Sequence, residues 1–194
     1  MRAEYENVLD DHLGKIHFTY VNTWDELLPA HWHEHLEIIY VLGGEITASI
    51  NDVSYELKKG DIFLVNSNDI HYTHTHEDAR YYLLQIPPVH LERISAKWKG
   101  LKFQEFIRSK SADACVQGEQ LETVQEKGIV EMRENQKSIN RADDLYDQLR
   151  DVFRKIAGFY KEKKEGYHLL VLSAVYRLLY FLYTEGIRSK EDTE

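Results

Sequence analysis

The sequence predicts a mainly β fold followed by helices, on three observations. Short alternating segments separated by turn residues fill the stretch from about Gly14 to Ile86, the spacing expected of a sandwich or barrel. Pro87-Pro88 then ends the last segment, because proline brings no backbone donor to a ladder. Beyond the prolines the apolar period changes from two to about three and a half, the helical value. A β region over residues 1–88 and a helical region over 89–194 follow from that change.

In the β region, Ile16, Phe18 and Tyr20 alternate with His17 and Thr19. Leu36 to Leu42 is an apolar, β-branched run, and Gly43-Gly44 turns it into a segment where Ile46, Ala48 and Ile50 alternate with polar neighbours. Asn51-Asp52 is a hairpin signal. Val53, Tyr55 and Leu57 alternate with Ser54 and Glu56, and Lys58 to Asp61 turns the chain into the buried-looking strand Ile62 to Val65. Asn66 to Asp69 turns again toward His71, and the last strand runs from Arg80 to Ile86.

In the helical region, short helices are expected around Leu91 to Arg108 and around Glu119 to Glu134, punctuated by Gly100 and Gly118. A longer helix is expected from about Ala142 to Lys164, with Leu145, Leu149, Val152, Phe153, Ile156 and Phe159 as its apolar stripe. Its lysines, Lys155, Lys161, Lys163 and Lys164, are interspersed with Asp147, Asp151, Glu162 and Glu165, the pattern of a solvated face. After Gly166, the segment Tyr167 to Tyr183 is apolar nearly all round and must be covered on more than one side. It serves either as the centre of a small bundle or across a dimer interface.

A chain of 194 residues suffices for one compact domain, with or without a helical appendage. The N-terminus carries no signal pattern and no apolar run approaches the length of a membrane span, so a cytoplasmic protein without a membrane partner is expected. Cys115 is the only cysteine, which excludes an internal disulfide and a cysteine-based zinc site. The net charge of -9 repels a phosphate backbone, so this chain is not expected to grip DNA or RNA by itself. Gly60 to Val65 lacks the features of a phosphate loop, and neither Ser173 nor Cys115 has the partners of a catalytic nucleophile.

Chemistry concentrates in His31-Trp32-His33-Glu34-His35-Leu36-Glu37, where histidines and a carboxylate occupy alternate positions. On a single strand all of them would face one side. His71 follows on a later segment. Imidazole and carboxylate are ligands for first-row metals and also hydrogen-bonding groups for a hydroxylated small molecule.

The spacing of His31, His33, Glu37 and Gly44, with Gly60 and His71 further on, resembles the two motifs of the cupin superfamily. The pattern departs from them in three places: no glycine precedes His31, Asn66 stands for the usual turn proline, and Thr75 stands where asparagine is common. The wording His-Trp-His, then Leu-Glu-Ile-Ile-Tyr-Val-Leu and Lys-Gly-Asp-Ile-Phe-Leu-Val-Asn, is similar to the N-terminal sensor domain of AraC-type transcriptional regulators. That resemblance implies a cupin-like double-stranded β-helix, or jelly-roll, barrel that binds a small effector such as a sugar. It also implies helices that form a homodimer, and DNA contact only through a C-terminal helix-turn-helix region absent from this chain.

The expected ligand-binding residues are His31, His33, Glu37 and His71, with Trp24, Arg80 and Tyr82 as flanking candidates for stacking on a ring or clamping an acid. Effector contact is preferred to metal ligation. If a divalent transition metal is bound, His31, His33, Glu37 and His71 are its ligands and suit iron, manganese, nickel or zinc. His35, His74 and His76 are left outside the site. The expectation is thus a non-enzymatic effector-binding module, the alternative a metal-dependent cupin enzyme of dioxygenase or sugar isomerase type. Removing the chain from Gly166 onward is expected to leave an aggregating or monomeric protein; a soluble, unchanged dimer on gel filtration would contradict this account of the last helix.

Overall fold

The computed structural model describes residues 3–8, 16–94, 101–107 and 128–185. Ten strands are described: β1 (Glu4–Tyr5), β2 (His17–Thr23), β3 (Leu27–Trp32), β4 (Leu36–Gly43), β5 (Glu45–Ile50), β6 (Val53–Lys58), β7 (Ile62–Val65), β8 (His71–Thr75), β9 (Ala79–Ile86) and β10 (Phe106–Ile107). The described helices are α1 (Pro88–Ile94), α2 (Gly128–Glu162) and α3 (Tyr167–Thr184). Cys115 and most of the helix expected over Glu119 to Glu134 lie outside the described residues.

The strands form two five-stranded sheets, in the orders β1-β3-β8-β5-β6 and β10-β7-β4-β9-β2. From β3 onward the chain passes repeatedly between them, the cupin-like jelly-roll connection. No described ladder joins the two sheets, so the expected barrel is an open sandwich rather than a closed wall. At the hairpin between β5 and β6, Asn51 and Asp52 both have positive φ, 46° and 70°, as a tight turn matched to strand twist requires. Gly44 is needed for a second reason. Its φ is 72°, and a Cβ there would lie 2.6 Å from the Asp78 carbonyl oxygen.

The second sheet is buried on both faces, which is why β4 and β7 read as continuous apolar runs. Ile39, Val41, Phe63, Val65 and Tyr81 point between the sheets and meet Ile46, Ala48, Ile50 and Leu57 of the first. Leu36, Ile38, Tyr40, Ile62, Leu64, Leu84 and Ile86 point the other way and share one cluster with Leu145, Leu149, Phe153 and Ile156 of α2 and Val175, Leu178 and Leu179 of α3. The helical region thus completes the core of the β region.

Three helical expectations need correction. Of the helix expected over Leu91 to Arg108, the described residues show α1 over Pro88–Ile94, whereas Phe106 and Ile107 pair with Phe63 and Ile62 as a sheet edge; residues 95–100 and 108 lie outside the described residues. Asn66 anchors that segment: it accepts from the Phe103 backbone N–H at 2.6 Å and donates to the Phe103 carbonyl at 3.0 Å. The break expected before Ala142 is absent, because α2 runs unbroken for 35 residues; its polar stretch holds too few apolar residues to display a period, and no glycine or proline stops it. Finally, among the described residues α3 is covered on one side only. Val171, Ala174, Val175, Leu178, Leu179 and Leu182 are buried, whereas Leu169, Leu170 and Tyr180 are exposed.

Asn66 is itself buried and satisfies both backbone groups of Phe103. Asn66→Ala is expected to destabilise the protein by about 1–3 kcal/mol, the cost of leaving buried polar groups unpaired. Urea unfolding measures this, and a change within a few tenths of a kcal/mol would contradict the role.

Candidate metal and ligand site

His31 to Glu37 is not one strand. His31 lies on β3 in the first sheet, Glu37 on β4 in the second, and residues 33–35 make the crossing. The side chains converge because the crossing turns the inward faces of both strands toward one space. His71 opens β8 in register with His31. The ring centroids of His31 and His71 are 4.1 Å apart, and those of His33 and His71 are 4.9 Å apart. His33, His71 and Glu37 are buried.

The backbone sets the tautomers. Nδ1 of His31 donates to the Pro29 carbonyl at 2.8 Å, Nδ1 of His33 to the His35 carbonyl at 3.2 Å, and Nδ1 of His71 to the Asp69 carbonyl at 3.0 Å. A carbonyl oxygen can only accept, so each ring is protonated at Nδ1 and turns Nε2 toward the cluster; His33, which also donates from Nε2 to Glu37, is an imidazolium that would shed that proton to bind an ion. His71 Nε2 is buried without a hydrogen-bond partner.

Glu37 closes the base of the site. Its Oε2 accepts from His33 Nε2 at 3.0 Å and from Gln85 Nε2 at 2.8 Å, and its Oε1 lies 3.9 Å from His71 Nε2. Gln85 is opposite Glu37 in the β4–β9 register. Burial pushes the Glu37 carboxyl up, but the His33 hydrogen bond, the neighbouring imidazoles and Gln85 outweigh it and hold the group down at about 2. Burial also pushes the His33 imidazole down, and the bond to Glu37 with the charges of Glu37 and Glu6 outweighs it, so His33 is raised. For His71 burial wins over the charge of Glu37, and its value is lowered.

These residues fit a divalent transition metal. The ligand atoms of His31, His33 and His71 all lie within 4.8 Å of one another. Two ligands of one ion sit at most about 4.2 Å apart, so a shift of about half an ångström would complete the set. The orphaned Nε2 of His71 is the atom such an ion would satisfy. Three imidazoles beside a carboxylate, without a thiolate, suit iron, manganese, nickel or zinc.

A cavity of about 40 Å³ adjoins the cluster, lined by Glu6, Tyr81, Thr73, Leu83 and Gln85 among others. That is space for an ion and about one water. Burial, then the charges of Glu37 and Glu26, pushes the Tyr81 hydroxyl up to about 12, so it stays a donor. A larger cleft of about 500 Å³ lies between Leu36, Asn66, Leu91 and Phe103 and shares no lining residue with the histidine cavity. Its Lys102 is already held by Asp69 at 2.5 Å, so the chemistry lies with the histidines.

The expectation of a non-enzymatic effector-binding module is therefore corrected: a metal-competent histidine triad beside a small cavity is a centre at which chemistry is possible.

His31, His33, Glu37 and His71 are brought together, while Trp24, Arg80 and Tyr82 do not line the cavity. Trp24 is exposed between β2 and β3. Arg80 is exposed and pairs with Asp78 at 3.4 Å. Tyr82 stacks on Phe18 at 5.3 Å on the helix side of the second sheet, as its even position on β9 dictates. His74 bonds Asp25 and His76 bonds Thr47, apart from the cavity. Sequence reasoning missed Gln85, Tyr81, Thr73 and Glu6. Gln85 left a signal, a polar residue at an inward position of an apolar strand; Glu6 left none.

Residues 14–179 match the AraC-like ligand binding domain family, and the chain belongs to it. A curated relative, the uncharacterized HTH-type transcriptional regulator YdeC of Bacillus subtilis, is 30% identical over 63 residues, which is 31% of this chain and 22% of the relative. The chain thus matches well under half the length of that protein. An RmlC-like cupin from Shewanella frigidimarina is 20% identical with a TM-score of 0.36, over 37% of this chain and 66% of that one. KdgF from Halomonas sp. is 23% identical with a TM-score of 0.35, over 37% and 69%. Bacillus subtilis oxalate decarboxylase is 20% identical with a TM-score of 0.35, over 37% and 21%. Among the described residues, no helix is long and apolar enough to cross a membrane.

The shifts fix a pH dependence for the metal-free protein. Glu37, lowered, contributes stability that is complete above its ordinary 4.5 and lost as pH falls toward about 2. His33, raised, contributes stability that is complete below its ordinary 6.5 and lost as pH rises through its raised value. His71, lowered, acts oppositely and costs stability as pH falls below 6.5. Thermal melts of Glu37→Gln are expected to show a smaller loss than wild type between pH 4.5 and 2. Equal losses would contradict the arrangement around Glu37.

Proposed function

We propose that this chain is a metal-centred ligand-binding domain, with His31, His33 and His71 holding a divalent transition metal at which a small oxygen-bearing molecule binds. The observation that carries this reading is the buried Nε2 of His71, without a hydrogen-bond partner, beside His31 and His33, the ligand atoms of all three lying within 4.8 Å of one another. Glu37 supplies compensating negative charge from below, and Gln85 holds it in place. Tyr81 and Thr73 offer hydroxyls to the bound molecule. An ion at this position would polarise an oxygen ligand and lower the pKa of bound water.

The family and the similarity to an HTH-type regulator support a place in transcriptional control. In that role the bound molecule is an effector, a sugar or another small polar compound, acting through its differential affinity for two states of the domain. The exposed Leu169, Leu170 and Tyr180 on α3 support a second copy of the chain docked there. A chain of net charge -9 leaves DNA contact to other residues of such a regulator. The same centre supports a second reading, a cupin metalloenzyme. The observation favouring it is the small cavity beside the triad, which leaves room for a substrate oxygen on the ion.

Protein purified without added metal is expected to carry about one iron, manganese, nickel or zinc ion per chain, and His33→Ala is expected to lose it. Elemental analysis decides, and wild-type protein that is metal-free and takes up none of these ions would overturn the proposal. A thermal-shift screen over sugars and small acids on the loaded protein then identifies the ligand class. Consumption of a stabilising compound selects the enzyme reading; recovery of it unchanged selects the effector reading.

A further inference from the structure

We infer that the cleft of about 500 Å³ beside α1 is a second ligand site, suited to an organic cation with an apolar body, and that its occupant bears on the loops holding the histidines. The inference stands apart from the metal reading, because the cleft and the histidine cavity share no lining residue.

The cleft has the volume of a small-molecule pocket, which runs from about 300 to 1,000 Å³. Leu36, Leu91 and Phe103 line it with buried side chains, and Pro88 and Leu101 lie half-buried beside them. Asn66, another lining residue, grips both backbone groups of Phe103, so the wall formed by residues 101–103 is fixed to the sandwich. A preformed apolar surface of this kind binds an apolar body by taking its area out of water.

Charge decides the class of ligand. Glu34 and Glu92 also line the cleft; both are exposed, and neither pairs with a lysine or arginine among the described residues. Lys102 is the cation among the described lining residues, and it is engaged. Its Nζ donates to the Asp69 carboxylate at 2.5 Å and to the Ser67 carbonyl at 3.4 Å. An acid entering the cleft would face two carboxylates and a lysine already neutralised. An ammonium or guanidinium group would meet the same two carboxylates as partners.

The walls of the cleft reach the histidines. Glu34 sits in the crossing between His33 and His35, where the His35 carbonyl holds His33 Nδ1. Asn66, Ser67 and Asn68 belong to the turn whose Asp69 carbonyl holds His71 Nδ1 at 3.0 Å. The two loops are joined, since the Asn68 backbone N–H donates to the His33 carbonyl at 2.9 Å. Leu91 and Glu92 belong to α1, whose His90 shares a hydrogen bond of 3.0 Å with the Tyr176 hydroxyl of α3. A body seated in the cleft thus touches both histidine loops and the helix that contacts α3.

Phenylbutylamine, phenylbutanol and phenylbutyrate are titrated separately into the full chain without added metal, following leucine methyl and histidine ring signals by NMR. The amine is expected to move the signals of Leu36, Leu91 and Leu101 and, by less, those of His33 and His71, and to bind more tightly than the alcohol; the acid is expected not to bind. The double variant Glu34→Gln, Glu92→Gln is expected to weaken the amine about 3- to 30-fold and leave the alcohol unchanged, as two exposed ion pairs would. Acid binding as tight as that of the amine, or undiminished amine binding in the double variant, would overturn the cation assignment. Amine shifts confined to Leu28 and Leu83, which line the histidine cavity, or no shifts from any of the three compounds, would overturn the site. Shifted leucines with unmoved His33 and His71 would overturn the link to the histidine loops.

Discussion

A carboxylate buried in a β sandwich has to be surrounded by donors, and the way Glu37 is satisfied sets the positions of the groups around it. Gln85 from the neighbouring strand and His33 from the crossing loop donate to the same oxygen. His71 from the opposite sheet faces the other oxygen. The site therefore ties the two sheets together where the chain passes from one to the other. Three backbone carbonyls lock the imidazoles, each within two residues of the ring it holds. Local chain geometry, rather than long-range packing, thus points all three Nε2 atoms inward.

The second sheet performs two tasks through alternate residues. On β4, Glu37 and Ile39 face the interior of the sandwich, while Leu36, Ile38 and Tyr40 face the helices. The same alternation on β9 puts Tyr81 and Gln85 inside and Tyr82, Leu84 and Ile86 outside. Site and helix-bearing surface are thus opposite faces of one set of strands, and interiors packed at crystal-like density transmit displacements across such a layer.

The strands were legible because inward and outward residues alternate with turn residues between them. Asn51-Asp52 and Gly44 show the backbone conformations their residue types imply. The identities of His31, His33, Glu37 and His71 were legible as well, but their arrangement was not. Perfect alternation over seven residues looks like one strand, and nothing in it marks the crossing at residues 33–35. Trp24, Arg80 and Tyr82 have the chemical types that stack on rings or clamp acids, but for Tyr82 the parity of β9 decides against the cavity. Phe106 and Ile107 lie on a sheet edge because Asn66 and β7 recruit them, a tertiary effect without local trace. The run before Ala142 is helical although its polar sequence displays no stripe.

The central claim is that His31, His33 and His71 converge on one cation. X-ray absorption at the metal edge of the loaded protein tests it most directly. Nitrogen and oxygen neighbours at about 2.0–2.2 Å, with the outer-shell pattern of about three imidazoles, are the result this account requires. A shell of oxygen neighbours without an imidazole signature would contradict it.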